Sequence, residues 1–180
     1  QFSMHMWTSI TVGFIFAFPF ILWEIWKFIS PALYEKEKKY AASFIIISSI
    51  LFFIGVLFGY YLIAPLSVQF FASYIVSPEI SNSIDIDSYM SLMKTSAIAS
   101  GLLFELPIII FFLTKIGLVT PEFLRKYRKY TLVVVLVVAA VITPPDVLSQ
   151  IIVTIPIMIL YEASILISVL VVKSQEKEKL

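Results

Sequence analysis

The 180 residues are 60% apolar and 14% charged, with a formal net charge of +1, whereas average soluble domains lie nearer ~45–50% apolar and ~25% charged. Several apolar runs approach or exceed the ~20 residues that a bilayer-crossing helix needs, too many to hide inside so short a soluble chain, so lipid is the expected solvent for most of it. The absence of cysteine excludes disulfides and thiol chemistry, and the single histidine, His5, leaves little for acid–base or metal chemistry.

No basic segment precedes the first apolar run, so no signal peptide is read, and the sequence is expected to start inside a longer protein. Length and missing charge predict five membrane helices: Met6–Trp26, Ala42 to about Pro65, Tyr89–Leu113, a short one over Tyr130–Ile142, and Leu148–Val172. Nothing alternates like a barrel strand, and only helices otherwise satisfy their backbone groups in lipid. The fold class is therefore an all-α polytopic membrane protein, a single transmembrane domain over residues 1–173 with a tail over 174–180.

The connections sort by charge. "KFISPALYEKEKKY", "TKIGLVTPEFLRKYRKY" and the tail "KSQEKEKL" hold every basic residue except Lys94. "SYIVSPEISNSIDIDSY" and "TPPD" hold none. The positive-inside rule places the base-rich connections and the C-terminus in the cytoplasm, and the N-terminus outside. An earlier span is then expected, giving a parent with six. Pro19, Pro107 and Pro156 lie within the runs and are expected to bend them. Gly55 and Gly59, four apart, permit close helix packing. The fourth run spans only about 20 Å as a helix, short for a ~30 Å hydrocarbon core.

Among candidate site residues, Glu105 in "GLLFELPIII" stands out, since intramembrane carboxylates usually face a cavity, a partner or a proton path. The other reading is a carboxyl bonded to a neighbouring helix or to a carbonyl freed by Pro107. The small residues Ser96, Ala97, Ala99, Ser100 and Gly101 would let a helix or polar ligand approach. Glu162 is open to the same two readings. Glu24 pairs with Lys27 at i,i+3. Glu35 and Glu37 are either a solvated helix start or a docking point for a cationic peptide. Asp146 precedes an apolar run as a helix N-cap would. No enzymatic motif, metal-ligand spacing or phosphate loop is present, so no cofactor and no catalysis are expected.

In order along the chain, "WEIWKFISPALYEKEKKY", "FELP", "GLVTPEFLRKYRKY", "TPPDVLSQ" and "IPIMILYEASIL" resemble the TatC family, the multi-span receptor subunit of the twin-arginine protein translocase. The resemblance implies a glove-shaped six-helix parent in the bacterial inner membrane. It implies export of folded proteins whose signal peptides carry paired arginines, driven by the proton-motive force. Partners would be those signal peptides, TatA- and TatB-type single-span subunits, further copies of the receptor and membrane lipid, with no nucleic acid. By the same resemblance Phe28 and Glu37 would bind the signal peptide. Glu105 would offer a polar contact to a partner helix or signal peptide within a concave pocket, and Asp146 would act on the external face. The family's first cytoplasmic segment and first span have no counterpart here. A proton-coupled small-solute transporter, resting on Glu105 and Glu162 alone, is the competing reading; it would need an internal repeat, and no clear one is seen.

Overall fold

The computed structural model describes residues 2–29, 41–73, 85–143 and 146–179, all helical apart from short connections. The helices are α1 (Phe2–Ile29), α2 (Ala41–Phe58), α3 (Ala64–Ser73), α4 (Ile86–Phe104), α5 (Leu106–Lys115), α6 (Pro121–Ile142) and α7 (Val147–Lys179). A π-helical turn, Gly59–Ile63, joins α2 to α3 without interrupting the rod, and Glu105 alone separates α4 from α5. The molecule is thus a polytopic all-α membrane protein. Among the described residues four rods are long and apolar enough to cross a bilayer: Phe2–Phe28, Phe44–Ser73, Ile86–Lys115 and Val147–Glu176. α6 differs because its first half, "PEFLRKYRKY", is basic and only its second half is apolar.

The helices outrun the apolar runs that announce them. α2 and α3 together pass through Pro65, where the apolar run was expected to end. A proline in an α-helix collides with the carbonyl four residues back. Here the chain widens just before it, with the Ala64 N–H bonding the Gly59 carbonyl five residues back, and a π turn of this kind leaves room for the ring. Pro107 acts as expected at the other break. It lies in the first turn of α5, where a missing N–H costs nothing. The Glu105 N–H closes a tight 3.2 Å bond to Leu102 instead of continuing the α pattern.

Glycine and small residues set the central contact. α2 and the π turn lie against α4 so closely that a Cβ on Gly59 would stand 2.2 Å from the Ser96 carbonyl oxygen, and one on Gly55 2.6 Å from that of Ser100. The Gly55/Gly59 pair and the small residues of α4 are therefore two halves of one interface. Phe18 of α1 stacks on Phe52 of α2 with ring centroids 3.5 Å apart, and Leu22, Trp26 and Ile45 complete this cluster.

α7 buries one stripe along its length: Val153, Ile157, Tyr161, Ser164, Ile165, Ser168 and Val171. Spacings of three and four keep these residues on one helical face. The upper part packs on Val135 and Ala139 of α6 and Ile63 of the π turn. The lower part packs on Ile110 of α5 and Leu124 of α6. Polar bonds pin the same seam: Tyr161 Oη donates to the Leu124 carbonyl at 2.9 Å, Thr114 and Ser168 share a 2.9 Å hydroxyl bond, and Gln175 donates to the Lys115 carbonyl at 3.0 Å. The turn from α5 to α6 is written in the sequence. Gly117, at φ 75°, ends α5 in the left-handed conformation. Thr120 caps α6 by accepting from the Phe123 N–H at 3.2 Å, and Pro121 follows at the first turn.

Candidate functional site

Glu105 sits where the α4–α5 rod breaks, and its side chain is only 6% exposed. The carboxylate does not cap the helix it precedes. It turns across to α2, where the Ser48 hydroxyl donates to Oε2. The other oxygen, Oε1, is buried and has no hydrogen-bond partner among the described residues. The hydroxyls of Ser67, Ser96 and Ser100 are in the same condition. Ser96 and Ser100 lie on α4 and Glu105 at its end, whereas Ser67 lies on α3. Buried polar atoms are nearly always paired, so these four, a carboxylate oxygen among them, stand out among the described residues.

Ser48 is the partner that sequence reasoning missed. Its signal was the pair Ser48–Ser49 inside the apolar run "FIIISSILFF". Ser49 spends its hydroxyl on the Ile45 carbonyl, as serines in helices commonly do, whereas Ser48 reaches another helix.

The other expected residues lie apart from Glu105. Phe28, near the C-terminal end of α1, is 88% exposed. It lies on the same end of the molecule as Phe112 and Lys115, because neighbouring Trp26 packs on Phe112. Glu35 and Glu37 lie outside the described residues. Glu24 pairs with Lys27 at 2.7 Å, as the i,i+3 spacing predicts. Glu162, left open between function and packing, is bound by Arg128 of α6 at 2.7 Å, both side chains half exposed. A pair so placed contributes little to stability in water. It ties α6 to α7 and leaves Glu105 as the one buried carboxylate among the described residues.

Asp146 begins α7, at the end of that helix opposite Gln175. It is a true N-cap, accepting from the backbone N–H of Leu148 at 3.1 Å and of Ser149 at 2.8 Å. The Ser149 hydroxyl and N–H, followed by the Leu148 N–H, hold its carboxyl below the ordinary value of 3.8. The sign follows from linkage: the ionised cap stabilises the fold fully above that value, and the contribution is lost as pH falls below it. Asp146→Ala is expected to lower the unfolding temperature at pH 7, Asp146→Asn to keep most of it, and the alanine deficit to shrink at pH 3. Thermal melts of the three proteins at both pH values check this. Four residues on, Gln150 donates to the Leu136 carbonyl at 2.8 Å and fastens α7 to α6.

Known proteins supply the context. The family model described as Sec-independent protein translocase protein (TatC) matches residues 1–156. The Sec-independent protein translocase protein TatC of Blattabacterium sp. subsp. Periplaneta americana (strain BPLAN) is 44% identical over 175 residues, 97% of this chain and 66% of its own. TatCy of Bacillus subtilis (strain 168) is 44% identical over 165 residues, 92% of this chain and 65% of its own. The chain therefore spans about two thirds of the length of these curated relatives. Among solved structures, the crystal structure of the twin arginine translocase receptor TatC is similar with a TM-score of 0.76 at 36% identity, covering 96% of this chain and 75% of that one.

Proposed function

The chain belongs to the TatC family of Sec-independent protein translocase proteins, and from that premise we propose that it is the core receptor of a twin-arginine translocation system. It binds signal peptides bearing paired arginines and exports folded proteins across the membrane with the proton-motive force. The observation that carries this reading is the likeness of nearly the whole chain to a solved twin-arginine translocase receptor. The family is a translocase component and not a known enzyme, and the relatives lend nothing to a small-solute transporter.

Within this reading the bacterial inner membrane holds residues 1–173 as one domain, and the base-rich connections and the tail over 174–180 face the cytoplasm. Phe28 and Glu37 form part of the signal-peptide site. The chemistry fits, since an arginine fork is met best by a carboxylate and Phe28 is an exposed apolar side chain. Glu105, with one oxygen unpaired, makes the polar contact to an inserted signal peptide or to a TatA- or TatB-type partner helix. Asp146 acts at the external face. Several receptor copies assemble with those single-span subunits.

A photoreactive residue at position 28 is expected to crosslink a twin-arginine signal peptide. Glu37→Ala should reduce that yield about tenfold, the scale of a lost charge-assisted bond, and a Lys–Lys signal should crosslink less than Arg–Arg. Equal yields for all three would remove these two residues from the site.

A further inference from the structure

We propose that the outward face of the first half of α6 is a docking surface for the phosphodiester headgroups of anionic phospholipids. α6 turns one face inward: Pro121, Leu124, Val135 and Ala139 are buried. The opposite face carries three exposed rings, Phe123, Tyr127 and Tyr130. They form a continuous ladder, with centroids 4.5 Å apart for the first pair and 5.7 Å for the second. Interleaved with the rings are Arg125, Lys126 and Lys129, all exposed. None of these three has a carboxylate partner among the described residues; Glu162 takes Arg128 only. Lys129 lies 5.3 Å from the Tyr130 ring centre and Lys126 6.0 Å from that of Tyr127, so the rings hold the ammonium groups against the helix without neutralising them.

One feature selects a lipid over a soluble anion or an acidic polypeptide. Beyond Tyr130 the same outward face continues into Val133, Val137 and Val141, all exposed. A single helical surface thus runs from bases, through amphipathic rings, to bare aliphatic side chains. From Lys126 to Val137 it extends about 16 Å at 1.5 Å per residue, which places aliphatic side chains beside acyl chains when the bases stand at the phosphates. Tyrosines belong at that boundary, and bases near an anionic surface gain attraction there. An acidic protein segment would use the bases but leave the valine stripe unmatched. The inference is independent of the translocase reading.

The test reconstitutes the purified protein in phosphatidylcholine bilayers with spin-labelled phosphatidylglycerol or spin-labelled phosphatidylcholine, and reads the motionally restricted fraction of each by electron paramagnetic resonance. A preference for phosphatidylglycerol of about tenfold is expected, weakening in high salt. The triple variant Arg125→Gln, Lys126→Gln, Lys129→Gln should abolish it, and Lys126→Gln alone should lower it by up to about fivefold. Lys94→Gln, on a different helix, should leave it unchanged. Equal restriction of both lipids by the unmodified protein overturns the proposal, as does an undiminished preference in the helical triple variant. If the triple variant does not fold, an undiminished preference in Lys126→Gln has the same force.

Discussion

Gly59→Ala is expected to cost this protein about 3 kcal/mol or more of stability, the upper range for overpacking. The added methyl would lie 2.2 Å from the Ser96 carbonyl oxygen, 2.7 Å from its carbonyl carbon and 2.8 Å from the Ala97 Cα. All three are backbone atoms of a helix, so neither partner can turn a side chain away; α2 and α4 must separate. Gly55→Ala meets backbone at 2.6 Å and should follow closely. Gly101→Ala meets mainly the Phe52 ring at 2.7 Å, which can tilt at the expense of its stack on Phe18, and should cost less. Gly13 has nothing within 4 Å of its Cβ position, so Gly13→Ala should be neutral. Tryptophan fluorescence melts in one detergent would rank the four; a Gly59→Ala midpoint equal to that of Gly13→Ala would contradict the packing described.

On the proposed receptor function, Glu105→Leu is expected to separate stability from transport. The carboxylate is buried, has one hydrogen bond and leaves Oε1 unpaired. Replacing a half-satisfied buried polar group with an apolar side chain is often neutral or stabilising, even though Ser48 loses its acceptor. The unfolding midpoint should therefore stay level or rise. Export of a folded reporter behind a twin-arginine signal should fall about ten- to a hundredfold, since an unmet buried polar contact costs about 1–3 kcal/mol. Glu105→Gln keeps a polar head and should retain more transport than leucine. Full export by the leucine variant would make Glu105 a packing residue. A collapsed midpoint would make it a structural staple acting through Ser48.

The rods themselves were legible because lipid requires long uncharged runs and the punctuating residues are chemically explicit. Asp146 was readable as the cap of α7 by a local rule that needs no tertiary contact. Gly117 and Thr120–Pro121 obey rules as local, yet they fell inside a charged connection, and α6 begins at Pro121 where the apolar run alone put its start at Tyr130. The Gly55/Gly59 spacing announced a close interface, and the small residues of α4 were recorded separately, but which helix fits which is a matter of three-dimensional assembly. The Ser48–Glu105 bond joins residues 57 apart and was invisible for the same reason. So was Arg128–Glu162, which couples a base from a charged connection to an acid that hydropathy assigns to an apolar span. Helix ends were misjudged where propensity gave the wrong stop: Pro65 read as an end until the π turn ahead of it made room.

The widened turn over Gly59–Ile63 also fixes where this rod can change length. A π turn holds one residue more than the α turn it replaces, so losing one residue there restores an ordinary turn while the rods on either side keep their rotational phase. Ser67 beyond it and Phe52 before it, both wholly buried, would keep facing inward. A residue gained or lost elsewhere in the rod would swing one of these faces by about a quarter-turn toward lipid. Between Phe52 and Ser67, the five residues Gly59–Ile63 are therefore the place where the rod can shorten by one residue with both faces still turned inward.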